Sequence, residues 1–318
     1  MYRDNLILKA MLQVLKSQKV TAGIIALVGV VMFSAKSVFA KMIYAYHVDP
    51  VSMLYMRMMI ALPFLLIISF WYERKHKLGK PEWKDIVMVV AISLIGYYFS
   101  SILDFIGLLY VEAAIERLIL FLYPTMVLIL SLLFLKKEIK MNQIISIAIA
   151  YLGLIIAFAD KFVVQNNSLF WYGVLLIVLS SFTYAIFLTA ADGLIERLGS
   201  VRFTTIAMLT MTICIVVHAM ITGKAHFTGY NIHVYTYSSI MAVFSTVIPV
   251  YMFNYAIEKL GASNVSVISC AGPVCTLLYS ATLISEPITV FQIIGTFVVM
   301  GGILFVYKGK KQEIKVES

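Results

Sequence analysis

The feature that most constrains this chain is a succession of ten apolar runs, each close to the roughly 20 residues that a helix needs to cross a bilayer core. They cover about 21–43, 51–70, 85–109, 113–135, 141–160, 170–192, 202–222, 235–257, 264–284 and 289–307. A backbone in lipid must satisfy its own hydrogen bonds, so runs of this length are expected as helices. The third and fourth runs nearly fuse, with Gly107 and the stretch Tyr110–Glu112 marking the break. Trp71, Trp83 and Trp171 sit at run edges, where amphipathic rings favour the interface. Only 13% of residues are charged, about half of what a soluble domain carries. The expected class is therefore an all-α integral membrane protein with ten transmembrane helices and the lipid bilayer as surroundings.

The first run is too long for a signal peptide and continues through Lys36 and Lys41, so it reads as an uncleaved helix. Ahead of it, in residues 1–20, Leu6, Ile7, Ala10, Met11, Val14 and Leu15 recur with a helical period among lysines. That pattern suits a basic amphipathic segment on the cytoplasmic membrane surface. The formal net charge of +9 points to cytoplasmic loops and not to a nucleic-acid face. With the N-terminus cytoplasmic, nineteen lysines and arginines fall on inside segments, and only Lys161 and Lys224 fall outside. Both termini, including the basic tail 308–318, are then cytoplasmic.

The two halves resemble each other. At an offset of 150, Gly23 meets Gly173, Ala35 meets Ala185 and Ala40 meets Ala190. At 149, Pro124 meets Pro273, Gln143 meets Gln292 and Gly153 meets Gly302. A first repeat over 21–160 and a second over 170–307 follow. Five helices is an odd number, so the second copy must be inverted and its loop charges must reverse. Loop 71–84 carries five basic residues and its counterpart 223–234 carries one. Loop 136–140 carries three, against none in Ser285–Thr289. Two inverted five-helix repeats suit alternating access.

Several segments carry a family resemblance. They are Phe33–Ile43 (FSAKSVFAKMI), His47–Phe64, Leu103–Ile139 (LDFIGLLYVEAAIERLILFLYPTMVLILSLLFLKKEI) and its echo Asn254–Ile288. With them the chain resembles the EamA-type branch of the drug/metabolite transporter superfamily, over about residues 21–307. The resemblance implies a ten-helix carrier of small metabolites such as amino acids, often moving them outward, in a bacterial inner membrane. It transfers no catalytic signature.

Ionisable residues inside membrane helices are costly and point to function. At 1.5 Å per residue, Lys36, Arg57, Asp104, Glu116 and Arg117 all fall at one depth in the outer half of the first repeat, with a formal sum of +1. One expectation is a cavity lining in which Lys36, Arg57 and Arg117 meet a carboxylate or phosphate. Asp104 and Glu116 would then hold the arginines or accept a coupling proton. The competing expectation is an ion-pair clip joining helices 2, 3 and 4. Tyr97, Tyr184 and Asn254 are expected either to line the same cavity or to bond neighbouring helices. Pro124 and Pro273, at equivalent mid-helix positions, are candidate kinks near the binding region.

No His-Glu-x-x-His, Gly-x-Ser-x-Gly or Gly-rich phosphate loop occurs, so neither an enzyme nor a nucleotide-driven pump is expected. The histidines show no metal spacing, and no metal or cofactor is expected. The function read from the sequence is a secondary transporter of a small polar metabolite, an amino acid or a related anionic or zwitterionic compound. It would be coupled to a proton or a counter-substrate. A non-transporting scaffold or a channel is the alternative. A second copy of the chain is an open partner, and nucleic acid is not one.

Overall fold

The computed structural model describes residues 2–76, 79, 81–135, 141–157, 159, 168–261, 265 and 268–302. Loop 136–140, the tail 308–318 and Lys161 lie outside them. Among the described residues the ten apolar runs correspond to ten helices. Helix α1 runs from Tyr2 to Ser34 and, after a turn at Ala35, from Lys36 to Tyr44. The segment expected on the membrane surface continues into it without a backbone break. Helix α2 is Pro50–His76, and α3 is Trp83–Gly107. Helix α4 is divided into Ala113–Leu120 and Tyr123–Leu135, and α5 is Met141–Ala157. In the second half α6 is Ser168–Leu198, α7 Ser200–Ile221 and α8 Ile232–Leu260. Helix α9 is Gly272–Leu283, preceded by a tight turn at Ser269–Ala271, and α10 is Val290–Gly302. Helices α1, α2, α3, α6, α7 and α8 are individually long and apolar enough to span a membrane. Phe70, Trp71, Leu133 and Ile155 point outward, as lipid-facing residues must.

Pairing of helices carries the inverted repeat into space. Helix α1 packs on α8, and its equivalent α6 packs on α3, the equivalent of α8. Helices α2 and α7 pair with each other, as do α4 and α9. Helix α5 meets α10 where Gly153 approaches Gly295. Each such pair joins a helix to its own counterpart. The irregular turns match as well. Helix α3 widens into a π turn at Leu94–Phe99, and α8 does so at Val243–Val247, 149 residues on. The break at Phe121–Leu122 in α4 is 149 residues from the middle of the tight turn opening α9. Pro124 and Pro273 each sit in the first turn after such a break, where a missing N–H is tolerated.

We call the face where α2 ends proximal and the other distal. The antiparallel pair α2–α7 is held at both. Proximally, Arg202 donates two 2.6 Å hydrogen bonds to Glu73. Distally, Lys224 lies 3.1 Å from Asp49, and the Ser52 hydroxyl donates to the Lys224 carbonyl at 3.2 Å. Positions 52 and 202 are repeat equivalents, so the two fastenings share one position, although their ion pairs join different ones. Burial works against the Asp49 charge, but Ser52 and Lys224 outweigh it and hold the carboxyl below its usual range. Also distal, both Glu286 oxygens accept from Ala113 N–H at 3.1 Å and so cap α4. Burial raises the Glu286 carboxyl above its ordinary value despite this bond.

Candidate functional site

A cavity of about 130 Å³ lies between the repeats. Its described wall draws on α1 to α4, on α6 to α8 and on Val265 and Ser269 ahead of α9, while α5 and α10 contribute none of it. Seven residues expected at the site line it: Lys36, Arg57, Tyr97, Asp104, Arg117, Tyr184 and Asn254. Glu116 lies behind the wall, fully buried. Pro124 and Pro273 are not on the wall, but the breaks they follow deliver Leu120, Tyr123 and Ser269 to it. The π turns deliver Gly96 and Tyr97 from one repeat and Thr246 from the other.

Charges are arranged differently from the expected pattern. The carboxylates do not hold the arginines; they hold Lys36. Its ammonium lies 2.7 Å from Asp104 Oδ2 and 3.9 Å from Glu116 Oε1. The ion pairs therefore join α1 to α3 and α4, and α2 takes no part in them. This geometry follows from the break in α1. Ser34 Oγ donates back to the Val30 carbonyl at 2.6 Å, and such back-bonding bends helices. The freed Ser34 carbonyl accepts from Thr276 of α9 at 2.9 Å. Lys36 then starts a new helical segment aimed at α3.

Arginines rest on aromatic rings. Arg57 Cζ lies 4.9 Å from the centroid of Phe105, and Arg117 Cζ lies 5.0 Å from that of Phe33. Lys36 Nζ is shared by both rings, at 4.9 Å from Phe105 and 5.2 Å from Phe33. Cation–π contact offsets part of the cost of burying these charges. Among the described residues, neither guanidinium has a carboxylate within 4.0 Å. The Nε atoms of Arg57 and Arg117, Oδ1 of Asp104 and both carboxyl oxygens of Glu116 have no hydrogen-bond partner among the described residues. Buried polar atoms are nearly always satisfied, so five exceptions gathered in one charged cluster beside the cavity are unusual.

The remaining wall mixes aromatic rings with aliphatic and small polar side chains. Tyr97 packs on Phe187 with centroids 4.5 Å apart, and Tyr184 packs on Tyr123 at 5.4 Å. Asn254 donates to Thr204 Oγ1 at 2.7 Å, joining α8 to α7. Ser100 and Ser180 bond each other across α3 and α6 with their hydroxyls 2.9 Å apart.

Phe33, Phe105 and Gly272 were not singled out in the sequence. Phe33 stands three residues before Lys36 and Phe105 directly after Asp104, a spacing that is a usable signal. Gly272 is a close-approach site: an added Cβ would lie 2.6 Å from Arg117 Nη2. The obstacle is the far end of a flexible side chain, so Gly272→Ala is expected to push the guanidinium aside. Its stability cost should be about 1 kcal/mol or less. Ligand binding that uses Arg117 should weaken about tenfold. Thermal melting and ligand titration of the same variant check both halves, and unaltered binding would detach Arg117 from the site.

Comparison with known proteins agrees with this architecture. The profile of the EamA-like transporter family matches twice, at residues 20–159 and 171–308. An uncharacterized transporter, YcbK, of Bacillus subtilis (strain 168) is 28% identical over 302 residues, spanning 92% of this chain and 94% of its own. An uncharacterized transporter of Archaeoglobus fulgidus is 28% identical over 232 residues, 73% of this chain and 81% of its own. One crystal structure superposes with a TM-score of 0.69 over 94% of this chain and 99% of its own at 11% identity, a likeness of fold alone. Two family matches laid end to end over an all-helical membrane fold place the chain in the EamA-like transporter family.

Proposed function

We propose that the chain is a secondary transporter that carries a small polar organic metabolite by alternating access, with the cavity between its repeats as the substrate site. The observation that supports this most directly is the cavity wall itself. It is built from both repeats and presents two buried guanidinium groups with no acidic partner among the described residues. A clip that served only to hold helices together would pair its charges. Matched irregular turns in both repeats point to the same place. The membrane is a bacterial cytoplasmic membrane with both termini inside, supported by the lysine and arginine bias. Coupling is to a proton or a counter-substrate, supported by the absence of any nucleotide-binding motif in the sequence.

The test is counterflow in proteoliposomes preloaded with single compounds from a panel of organic acids, amino acids and nucleotides. A carrier gives saturable uptake accelerated by the same compound inside, and Arg57→Ala lowers it more than about tenfold. Uptake that rises linearly without acceleration from inside would identify a channel and overturn the reading. No uptake of any compound would favour the scaffold.

A further inference from the structure

Three of the five unpartnered atoms in the charged cluster are Oδ1 of Asp104 and both carboxyl oxygens of Glu116, and all three are buried in the protein. The two carboxyl groups lie within hydrogen-bonding reach of each other. Ionised carboxylates only accept hydrogen bonds, so two of them side by side repel and leave their facing oxygens bare. Lys36 does not resolve this. Its ammonium satisfies Asp104 Oδ2 at 2.7 Å but lies 3.9 Å from Glu116 Oε1, beyond hydrogen-bond length. Glu116 is fully buried, and a buried carboxylate that accepts no hydrogen bond is very costly. One proton on Glu116 removes the repulsion and turns two bare oxygens into a donor and an acceptor.

We propose that Asp104 and Glu116 share one exchangeable proton, carried as a neutral Glu116 acid that donates to Asp104 Oδ1, and that the pair is a proton-binding site opening on the cavity through Asp104. In the carrier this is where the coupling proton is loaded; that role, though not the site, rests on the cavity being the substrate site. Glu116 is the protonated member because Asp104 already has the ammonium at 2.7 Å, whereas Glu116 has it only at 3.9 Å. Lys36 and Asp104 line the cavity and Glu116 lies behind them. The proton therefore passes from Glu116 to Asp104 and from Asp104 to the cavity, and no other bond is made or broken. With the proton aboard, the cluster has three cations against one carboxylate, +2, and without it three against two, +1. Other titratable groups surround the pair. Helix α1 brings Lys41 and Tyr44, whose hydroxyl donates to the Phe105 carbonyl at 2.8 Å. Arg57 of α2 rests on Phe105 and Arg117 of α4 on Phe33. Helices α6 and α9 bring Tyr184 and Cys275 toward Arg117, and the distal Glu112 and Glu286 act on Lys41. Helix α5 has no charged residue between Met141 and Ala157.

The test is infrared difference spectroscopy of the full chain in liposomes, with the medium stepped from neutral to alkaline pH. A carboxylic acid has a carbonyl stretch that a carboxylate lacks, and deuteration lowers its frequency. The unaltered protein is expected to show such a band at neutral pH, shifted in heavy water and lost on alkalinisation. Glu116→Gln is expected to remove it, and Glu286→Gln, which alters the distal carboxyl, to leave it. Glutamine reproduces a neutral donor to Asp104 Oδ1, so Glu116→Gln is expected to melt within about 4 °C of the unaltered protein. No band at neutral pH, a band that ignores pH or heavy water, a band that survives Glu116→Gln, or a Glu116→Gln chain that does not fold would each overturn the proposal. The coupling role is read in the counterflow proteoliposomes under an imposed pH gradient, with the same panel of compounds. One coupled proton drives accumulation of up to about tenfold per pH unit, and Glu116→Gln is expected to abolish it. Exchange in the unaltered protein that ignores the gradient would overturn that role. The band without counterflow of any compound would sink the carrier reading and leave the proton site standing, and counterflow without the band would do the reverse.

Discussion

Replacing Asp104 with leucine is expected to destabilise the protein by about 3 kcal/mol, the low end of what removing one member of a buried ion pair costs. Lys36 and Asp104 are 2.7 Å apart, with side chains 10% and 3% exposed. Leucine strands the ammonium, and Glu116, still 3.9 Å away, compensates in part. It also raises the formal sum of the cluster from +1 to +2. Adding Lys36→Met returns the sum to +1, so the double variant should regain more than half of the loss. Reversible unfolding of the four proteins of this cycle measures the coupling. Strictly additive effects would show that the pair contributes nothing as a pair.

A second large effect is expected at Gly96. A Cβ added there would lie 2.0 Å from Cβ of Phe187 and 2.6 Å from its Cγ. In contrast to Gly272, the obstacle is attached to the facing backbone and cannot swing away. Gly96→Ala must push α3 from α6. It must also disturb Phe187, which is 1% exposed and packs on Tyr97, Tyr184 and Phe203. A loss of about 3 kcal/mol is expected, at the upper end of ordinary overpacking. Phe187→Ala should not rescue it, since the clashing atom remains, whereas Phe187→Gly should do so in part. Yield of monodisperse protein and melting temperature report both. Rescue by alanine would mean that the ring, not the helix separation, sets the limit.

Much of the fold was legible because length and apolarity suffice to define membrane helices, and because an odd-numbered repeat must reverse its loop charges. The charged cluster was legible too, since cost alone makes such residues conspicuous in lipid. Its internal pairing was not. Depth along a helix places Lys36, Arg57 and Arg117 together, but which cation meets which carboxylate depends on the turn at Ala35 and on helix rotation. Neither leaves a mark in composition. The prolines signalled the breaks in α4 and α9, one step from the wall residues these breaks deliver. The π turns had no signal at all: Leu94–Phe99 and Val243–Val247 share no residue type at matched positions.

Those π turns make the length of α3 and α8 as consequential as their chemistry. A regular helix advances roughly 100° and 1.5 Å per residue, and a π turn houses one residue more than an α turn. Removing a single residue from Leu94–Phe99 lets the turn close into ordinary α-helix. Five residues at about 100° each turn through nearly the same angle as six in the wider turn, so the helix on either side keeps its rotation. Asp104 would still face Lys36 and Ser100 would still face Ser180, while the wide turn that brings Gly96 and Tyr97 to the cavity would be gone. In these two helices a one-residue deletion is thus expected to spare the frame and to remove the part of the cavity wall that each wide turn supplies.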